Sequence, residues 1–495
     1  MGADELRMGT PAGRWVLATT VLGSGLVMID GTVVNVALER IGTELDAGFT
    51  GLQWTVNAYT LSLAALILLG GSLGDHLGRR RVFLIGVVWF AVASLACGLA
   101  PDIGTLIAAR ALQGVGGALL TPGSLALISA SFRGRDRAAA IGAWSGLGGV
   151  AGAVGPFLGG WLVEWSWRAV FLINLPLAAV IVAITLRHVP ESRDAESAPG
   201  LDVTGTVLAV VGLGALTYGL TGLGERGPEP LPLVTVAVGV LALLAFVLVE
   251  RRSRHPLVPP ALFRDATFSA ANAATMLIYG AMGAVFLLLV LQLQTVAGFS
   301  PLAAGTALLP VTAVMLVFSA RAGALASRIG PRLPMTIGPL VSAAGLLLLL
   351  RVDASASWFG HVLPAMLVFG AGLALTVAPL TATVLDAAPD RYAGAASGVN
   401  NAVARAAGLL AVAVVPGLAG IGGDDYTDPV AFDAGFRIAM FIGASLLVLA
   451  ALVAFTLIRR PLVGPGAPEP ERVRVEECLN CPMSGPPMHP GDARR

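Results

Sequence analysis

Two ionisable side chains lie inside long apolar runs and are the strongest candidates for chemistry. Asp30 follows the run VLGSGLVMI, and Arg110 lies within GTLIAARALQGVGG. Placing an ionisable group in an apolar helix is costly, so such residues usually face a partner or a water-filled space. Burial disfavours a charged carboxylate and a neighbouring cation favours it, so a pair balanced between these effects can bind and release a proton. A static ion pair that joins two helices is the alternative.

A second unusual segment, GSLGDHLGRRR at residues 71–81, lies between two apolar runs. Its glycines permit a tight turn. Asp75 is expected near the N-terminus of the next helix, where the free N–H groups favour a carboxylate. The three arginines are expected at anionic lipid headgroups. A related segment, GALASRIGPR, occupies residues 323–332 and aligns Gly71, Leu73, Gly78 and Arg80 with Gly323, Leu325, Gly330 and Arg332.

The elements that hold these residues are predicted to be membrane-spanning helices. Of 495 residues, 56% are apolar and only 12% are charged, with a formal net charge of +1. This charge content is too low for a soluble globular protein, and the balance does not indicate nucleic-acid binding. Runs of about 20 apolar residues suit a bilayer core. The sequence has fourteen, near 15–37, 51–73, 82–100, 103–126, 138–163, 169–187, 202–222, 231–249, 269–294, 301–320, 334–351, 360–384, 395–420 and 434–458.

Arginine is concentrated in alternate loops, and this predicts the orientation. The loops after the second, fourth and later even-numbered runs carry most arginines, including Arg79–Arg81, whereas the other loops include acidic segments such as GGDDYTD at 422–428. Because basic loops remain in the cytoplasm, both termini are predicted to be cytoplasmic.

The repeated segment predicts an all-α membrane protein made of two pseudo-symmetric six-helix bundles and an inserted helix pair. The predicted parts are a cytoplasmic N-terminus (1–14), a first bundle (15–187), the inserted pair with its flanking loops (188–268), a second bundle (269–458) and a disordered cytoplasmic tail (459–495). Duplicated halves place a binding site at their interface near the bilayer midplane. The tail contains Cys478 and Cys481, whose spacing alone is weak support for a metal or redox site.

Five stretches together resemble the major facilitator superfamily, and within it the fourteen-span drug/proton antiporters. They are GSLGDHLGRRR, MIDGTVVNVAL (28–38), LIAARALQGVGGA (106–118), AGAVGPFLGG (151–160) and WRAVFLINLP (167–176). The sequence departs from the family patterns at Glu39, where proline is usual, at His76, and at Ala151, which replaces a glycine.

The resemblance implies a proton-coupled multidrug exporter of a bacterial plasma membrane that works by alternating access, as a monomer. It implies proton coupling by Asp30 and Arg110. It also implies a cytoplasmic latch between the halves, formed by Gly71, Leu73, Asp75, Gly78, Arg79 and Arg80, and a tightly packed antiporter helix containing Gly152, Gly155, Pro156, Gly159 and Gly160. No ATP-binding or enzyme motif is present, so neither a cofactor, a metal nor catalysis is expected.

Polar residues within the apolar runs are candidates for lining a substrate cavity. They are Asn35, Asn57, Tyr59, Gln113, Asn174, Gln292, Asn400, Asn401 and Arg405. Each could equally join neighbouring helices by hydrogen bonds. The expected cargo is a small, mostly hydrophobic or cationic compound. An exporter of one native metabolite or antibiotic, and a membrane sensor or scaffold without transport, are the alternatives.

Overall fold

The chain folds into a series of long α-helices in the computed structural model, which describes residues 7–193, 202–253, 256–389, 392–423 and 425–458. Fourteen of these helices are long and apolar enough to cross a membrane. They are α1 (Pro11–Glu44), α2 (Phe49–Leu77), α3 (Arg79–Gly98), α4 (Ile103–Ser131), α5 (Gly134–Trp165), α6 (Ala169–His188), α7 (Val203–Arg226), α8 (Pro230–Arg252), α9 (Ala266–Val296), α10 (Pro301–Ile329), α11 (Arg332–Arg351), α12 (Trp358–Asp386), α13 (Ala393–Leu418) and α14 (Pro429–Leu457). The described residues contain no β-strand, so the predicted all-α architecture is confirmed.

Several helix ends are fixed by short local signals. Asp102, Asp265 and Asp428 precede α4, α9 and α14, and each accepts a hydrogen bond from a backbone N–H of the first turn. The turns that follow α2 and α10 both contain a glycine with positive φ, Gly78 at 108° and Gly330 at 86°. A side chain is strained in that conformation, so the aligned glycines of the repeated segment have the same structural role.

Helix packing repeats between α1–α6 and α9–α14. In the first set, α4 packs against α2 and α3, α1 packs against α5 and α6, and α3 packs against α6. The equivalent pairs of the second set, α12 with α10 and α11, α9 with α13 and α14, and α11 with α14, are also in contact. The two sets meet along two seams, α2 with α13 and α5 with α10. This arrangement matches a duplicated six-helix unit; the domain boundaries stated above stay predictions.

The inserted helices α7 and α8 pack against each other, and α7 also contacts α2 and α13. Close approach depends on glycine: a Cβ built on Gly224 would lie 2.9 Å from the Cα of Gly417. Most of α8 remains exposed, including Leu241 and Leu244, as expected for a surface in contact with lipid. The pair therefore covers the α2–α13 seam.

Candidate functional site

A buried ion pair joins α1 to α4. Arg110 Nη1 donates to Asp30 Oδ2 at 2.5 Å, and the two side chains are 1% and 0% exposed. The structure thus brings the two ionisable residues singled out from the sequence into direct contact. Their role in proton coupling stays a prediction.

Amide side chains complete the hydrogen bonds of the Asp30 carboxylate. Its Oδ1 accepts from Gln113 Nε2 at 2.8 Å and from Asn174 Nδ2 at 2.9 Å. Both amides also donate to Ser94 Oγ, at 2.6 and 3.1 Å. Since α1, α3, α4 and α6 each contribute a side chain, the geometry of these hydrogen bonds depends on the relative positions of the four helices. All of these donors are N–H groups that point at the Asp30 carboxylate.

Arg110 is also held by α2 and α6. Its Nε donates to the carbonyl oxygen of Thr55 at 3.1 Å. Its guanidinium carbon lies 4.2 Å from the ring centroid of Tyr59 and 5.7 Å from that of Phe171. Aromatic faces stabilise a desolvated cation. We refer to Asp30, Ser94, Arg110, Gln113 and Asn174 as the Asp30 network.

The sequence did not identify Ser94, Thr55 or Phe171 as members of this site. Ser94 lies in the apolar run of α3 and resembles an ordinary small packing residue. Thr55 contributes only a backbone oxygen. A periodicity argument cannot find such residues, because their contribution depends on how α3 and α2 are rotated against α4.

A cavity of about 650 Å³ lies between the two halves. Its wall includes Ser24 and Met28 of α1, Asp75 of α2, Pro122 of α4 and Arg405 of α13. Asp75 and Gly394 lie near helix ends that carry the α2–α3 and α12–α13 turns. We call this end of the molecule the Arg-rich end, because the arginines of the α2–α3 turn lie there. The cavity therefore reaches the Arg-rich end.

Tyr59 separates the cavity from the Asp30 network. Its hydroxyl donates to the carbonyl oxygen of Val27 at 3.2 Å, and Val27 lines the cavity. Its ring covers Arg110 on the other side. Asp30 lies three residues beyond Val27 on α1, so the ion pair is adjacent to the cavity but closed off from it.

The polar residues predicted to line the cavity are distributed over several places. Asn401 and Arg405 form part of its wall, and within the described part of the chain Arg405 Nε is buried without a hydrogen-bond partner. Gln113 and Asn174 belong to the Asp30 network. Asn400 instead bridges α13 to α9 by donating to Thr275 Oγ1 at 2.8 Å.

Three further candidates lie outside the wall of this cavity. Gln292 donates to Val352 O at 2.9 Å and to Asp433 Oδ1 at 2.7 Å, near the start of α14. Asn57 is fully buried and neither of its amide atoms has a partner in the described part of the chain. Among the described residues, Asn35 Oδ1 is buried and without a hydrogen-bond partner. The roles of these three residues in lining a substrate cavity stay predictions.

The end opposite the Arg-rich end is closed by contacts between the halves. Gln53 Nε2 donates to Val412 O at 2.8 Å, and Gln294 Nε2 donates to Val36 O at 3.1 Å. Tyr426 Oη donates to Ala47 O at 2.9 Å. These bonds connect α2 to α13, α9 to α1, and the α13–α14 loop to the α1–α2 loop.

Glycines of α5 allow the closest approach at the same end. A Cβ on Gly160 would lie 2.6 Å from Leu302 Cα, and one on Gly305 of α10 would lie 2.2 Å from Pro156 O. On the neighbouring face, Gly155 and Gly159 pack against α1, where a Cβ would meet Thr32 and Val33. Gly152 differs, because a Cβ there would meet nothing within 4 Å. The predicted antiporter helix thus contacts the second half through backbone rather than side chains.

The α2–α3 turn, predicted to form a latch between the halves, makes its described hydrogen bonds within the turn and to the end of α6 and the segment that follows it. Asp75 lies in the last turn of α2 and accepts from Arg79 Nε at 2.9 Å. Arg79 N donates to Ser192 O at 3.0 Å, and Arg80 N donates to Glu191 Oε1 at 3.1 Å. Gly71 and Asp75 also line the cavity. The hydrogen bonds named here do not reach the second half. The latch between the halves stays a prediction.

The predicted tail, with Cys478 and Cys481, lies outside the described residues.

The family model described as Major Facilitator Superfamily matches residues 20–412. The chain belongs to the Major Facilitator Superfamily. The resemblance stated from the sequence motifs is therefore confirmed.

Named relatives in the superfamily are resistance and export proteins. Multidrug resistance protein Stp of Mycobacterium tuberculosis is 38% identical over 392 residues, covering 78% of this chain and 72% of the relative. Puromycin resistance protein pur8 of Streptomyces alboniger is 36% identical, covering 90% and 92%. Cephamycin export protein CmcT of Amycolatopsis lactamdurans is 36% identical, covering 86% and 89%.

Solved structures of superfamily transporters share the fold. The inward-open xylose transporter XylE from E. coli has a TM-score of 0.60 and 16% identity, with coverage of 91% of this chain and 97% of that chain. An inward-facing, unoccupied bacterial homolog of the human lysosomal transporter Spinster has a TM-score of 0.64 and 17% identity, with coverage of 90% and 97%. The chain is therefore a membrane-embedded protein of the superfamily, and its relatives include proteins named for multidrug resistance, puromycin resistance and cephamycin export.

Proposed function

We propose that the protein exports small, mostly hydrophobic or cationic compounds from the bacterial cytoplasm in exchange for protons, by alternating access. The Arg-rich end faces the cytoplasm in this proposal, and both termini lie on that side. The observation that carries it is the Asp30 network, a fully buried ionisable site beside a cavity between two halves. The relatives named as multidrug resistance and antibiotic export proteins support the direction of transport.

The arrangement described here corresponds to the cytoplasm-facing state of the cycle. The contacts of Gln53, Gln294 and Gly160 close the outer end, while the cavity reaches the Arg-rich end. In this proposal Asp30 has released its proton in this state, and the described hydrogen bonds to its carboxylate, which all come from N–H donors, support this. A compound entering from the cytoplasm therefore meets a deprotonated carrier, as exchange for protons requires.

The Asp30 network couples the two events because four helices contribute to it. When the halves rock and the outer end opens, any separation of α1 from α4 and α6 removes donors from Asp30. A buried carboxylate with fewer donors is destabilised and takes up a proton from the outside. Protonation leaves Arg110 with the Gln113 oxygen, the Thr55 carbonyl and the Tyr59 ring as partners.

The available energy is sufficient for such a cycle. One proton crossing a potential of 100 mV supplies about 2.3 kcal/mol. A difference of one pH unit supplies about 1.4 kcal/mol more.

The test uses purified protein in liposomes with an imposed pH gradient and the fluorescent lipophilic cation ethidium. We expect gradient-driven ethidium movement in the wild type and its loss in Asp30→Asn. The matched control is Asp265→Asn, the same substitution at the start of α9, where the side chain accepts a bond from Phe268 N. The control is expected to transport like the wild type.

The possible results separate the candidate functions. Gradient-driven movement retained in Asp30→Asn contradicts coupling through this residue and makes the ion pair a static link. If the wild type moves neither ethidium nor any compound of a wider screen, the protein is a non-transporting sensor or scaffold. Movement of one compound class alone identifies a narrow-specificity exporter.

A further inference from the structure

Two carboxyl groups meet at the base of the inserted helix pair, away from the Asp30 network. Asp202 immediately precedes α7, and Glu250 lies in the last turn of α8. Each uses one oxygen to accept a backbone N–H. Asp202 Oδ1 accepts from Gly205 N at 2.7 Å, and Glu250 Oε2 accepts from Val258 N at 3.0 Å.

The other two oxygens lie beside the same residue, Gly205. A Cβ built on Gly205 would lie 2.6 Å from Glu250 Oε1 and 2.9 Å from Asp202 Oδ2, so both oxygens border one small space. Both atoms are buried, and Glu250 is only 3% exposed. No donor in the described part of the chain reaches either oxygen.

Among the described residues, no basic side chain forms an ion pair or hydrogen bond with the free oxygens of the two acids. Arg251 and Arg252 follow on α8, but both are exposed and neither forms a described ion pair with the two acids. Across the cavity, Asp75 and His76 of α2 share its wall with Asp202. The linker residues Pro256, Leu257 and Val258 carry no titratable side chain.

Two ionised carboxylates cannot share a buried space without strong repulsion, whereas one proton converts their contact into a hydrogen bond. We propose that Asp202 and Glu250 hold one proton between them, and that the base of the inserted pair is a protonation site distinct from Asp30. The proton is taken from water at the Arg-rich end and bridges one oxygen of each acid. No other bond changes.

This site fixes part of the cavity wall. Glu250 binds Val258 N, and the adjacent Pro256 and Leu257 line the cavity together with Asp202. A proton between the two acids therefore ties α7, α8 and the α8–α9 linker together, and its loss loosens the linker at the cavity mouth. The inference does not depend on transport activity or on the proposed cargo.

The experiment measures the melting temperature of the full-length protein in detergent from pH 5 to pH 9 by intrinsic tryptophan fluorescence. Folding that requires an additional bound proton becomes less favourable as the pH rises. Glu250→Gln and Asp202→Asn each replace the proton by an amide N–H donor. We therefore expect both variants to gain stability relative to the wild type as the pH rises. Glu229→Gln, at the exposed start of α8, is the control and should follow the wild-type curve.

Two results would overturn the proposal. One is a melting temperature that both amide variants shift by the same amount at every pH, since this indicates two acids that only accept backbone bonds. The other is a wild-type melting temperature at pH 8 that increases with sodium chloride but not with choline chloride, since this indicates a bound metal cation. A pH-dependent difference seen in both variants, and insensitive to the salt, supports the shared proton.

Discussion

In the proposed alternating-access cycle, the contact between α5 and α10 affects the relative populations of the cytoplasm-facing and outward-facing states. We consider Gly305→Ala and Gly160→Ala, which add one methyl group where the helices cross. The new Cβ would lie 2.2 Å from Pro156 O in the first variant and 2.6 Å from Leu302 Cα in the second. Both neighbours are backbone atoms, so the helices themselves must separate to reach ordinary contact distances.

The α5–α10 crossing closes only the end opposite the Arg-rich end. The free-energy cost of the added methyl group therefore falls on the cytoplasm-facing arrangement. Overpacking costs about 1–3 kcal/mol. A free-energy change of that size lowers the ratio of the cytoplasm-facing to the outward-facing state by about 5- to 150-fold. Gly305→Ala is expected to have the larger effect, because its methyl group has less space.

The assay follows a cysteine placed on the cavity wall at Ser397, in protein whose native cysteines have been replaced. A membrane-impermeant thiol reagent is added from either side of oriented vesicles. We expect slower labelling from the cytoplasmic side and faster labelling from the outside in both variants. Gly146→Ala on α5 is the matched control, since its Cβ would meet nothing within 4 Å. Unchanged labelling from both sides in Gly305→Ala, with normal folding, would refute the assignment of this crossing as the outer closure.

Three further predictions concern single side chains. Arg110→Met leaves Asp30 buried without its cation and should lower the free energy of unfolding by about 3–5 kcal/mol, with partial recovery in the double variant with Asp30→Asn, measured by thermal melting. Arg405→Gln removes a cation from the cavity wall and should weaken binding of an anionic dye such as carboxyfluorescein relative to ethidium, measured by fluorescence titration; equal effects on both dyes would contradict a direct charge contact. The backbone N–H of Thr105 holds the pKa of Asp102 below its usual value, so the stability that Asp102 adds is present near neutral pH and is lost as the pH falls through that lowered pKa. The melting-temperature difference between wild type and Asp102→Ala should accordingly shrink in acid, and a difference that is constant with pH would contradict this account.

The sequence predicted the features that depend on local spacing. The apolar runs gave the number of helices, although α1 extends from Pro11 to Glu44 and so exceeds the predicted 15–37 at both ends. The aligned segments gave equivalent turns, because Gly78 and Gly330 both need positive φ. Because Asp30 and Arg110 are ionisable residues within apolar runs, each was expected to face a partner or a water-filled space, and in the structure they pair with each other.

The sequence could not predict which polar residue meets which. Gln292 and Asn400 are polar residues within apolar runs, as expected of residues that line a cavity. Each instead forms hydrogen bonds with a neighbouring helix or loop because of how α9 and α13 are rotated. Asp202 and Glu250 lie at the ends of the predicted spans 202–222 and 231–249, where spacing alone does not indicate a contact between them. Only the packing of α7 on α8 brings their oxygens into one buried space.

The inserted helix pair adds a contact to one of the two seams between the halves. Along the α2–α13 seam, α7 contacts both partners, so a motion that parts these helices must carry α7 with one of them and slide it along the other. The α5–α10 seam is formed by two helices in backbone contact, and α1 of the first half contacts both of them. In the proposed alternating-access cycle, parting of the α2–α13 seam therefore also moves a helix of the inserted pair, whereas no inserted helix is among the main described contacts of the α5–α10 seam.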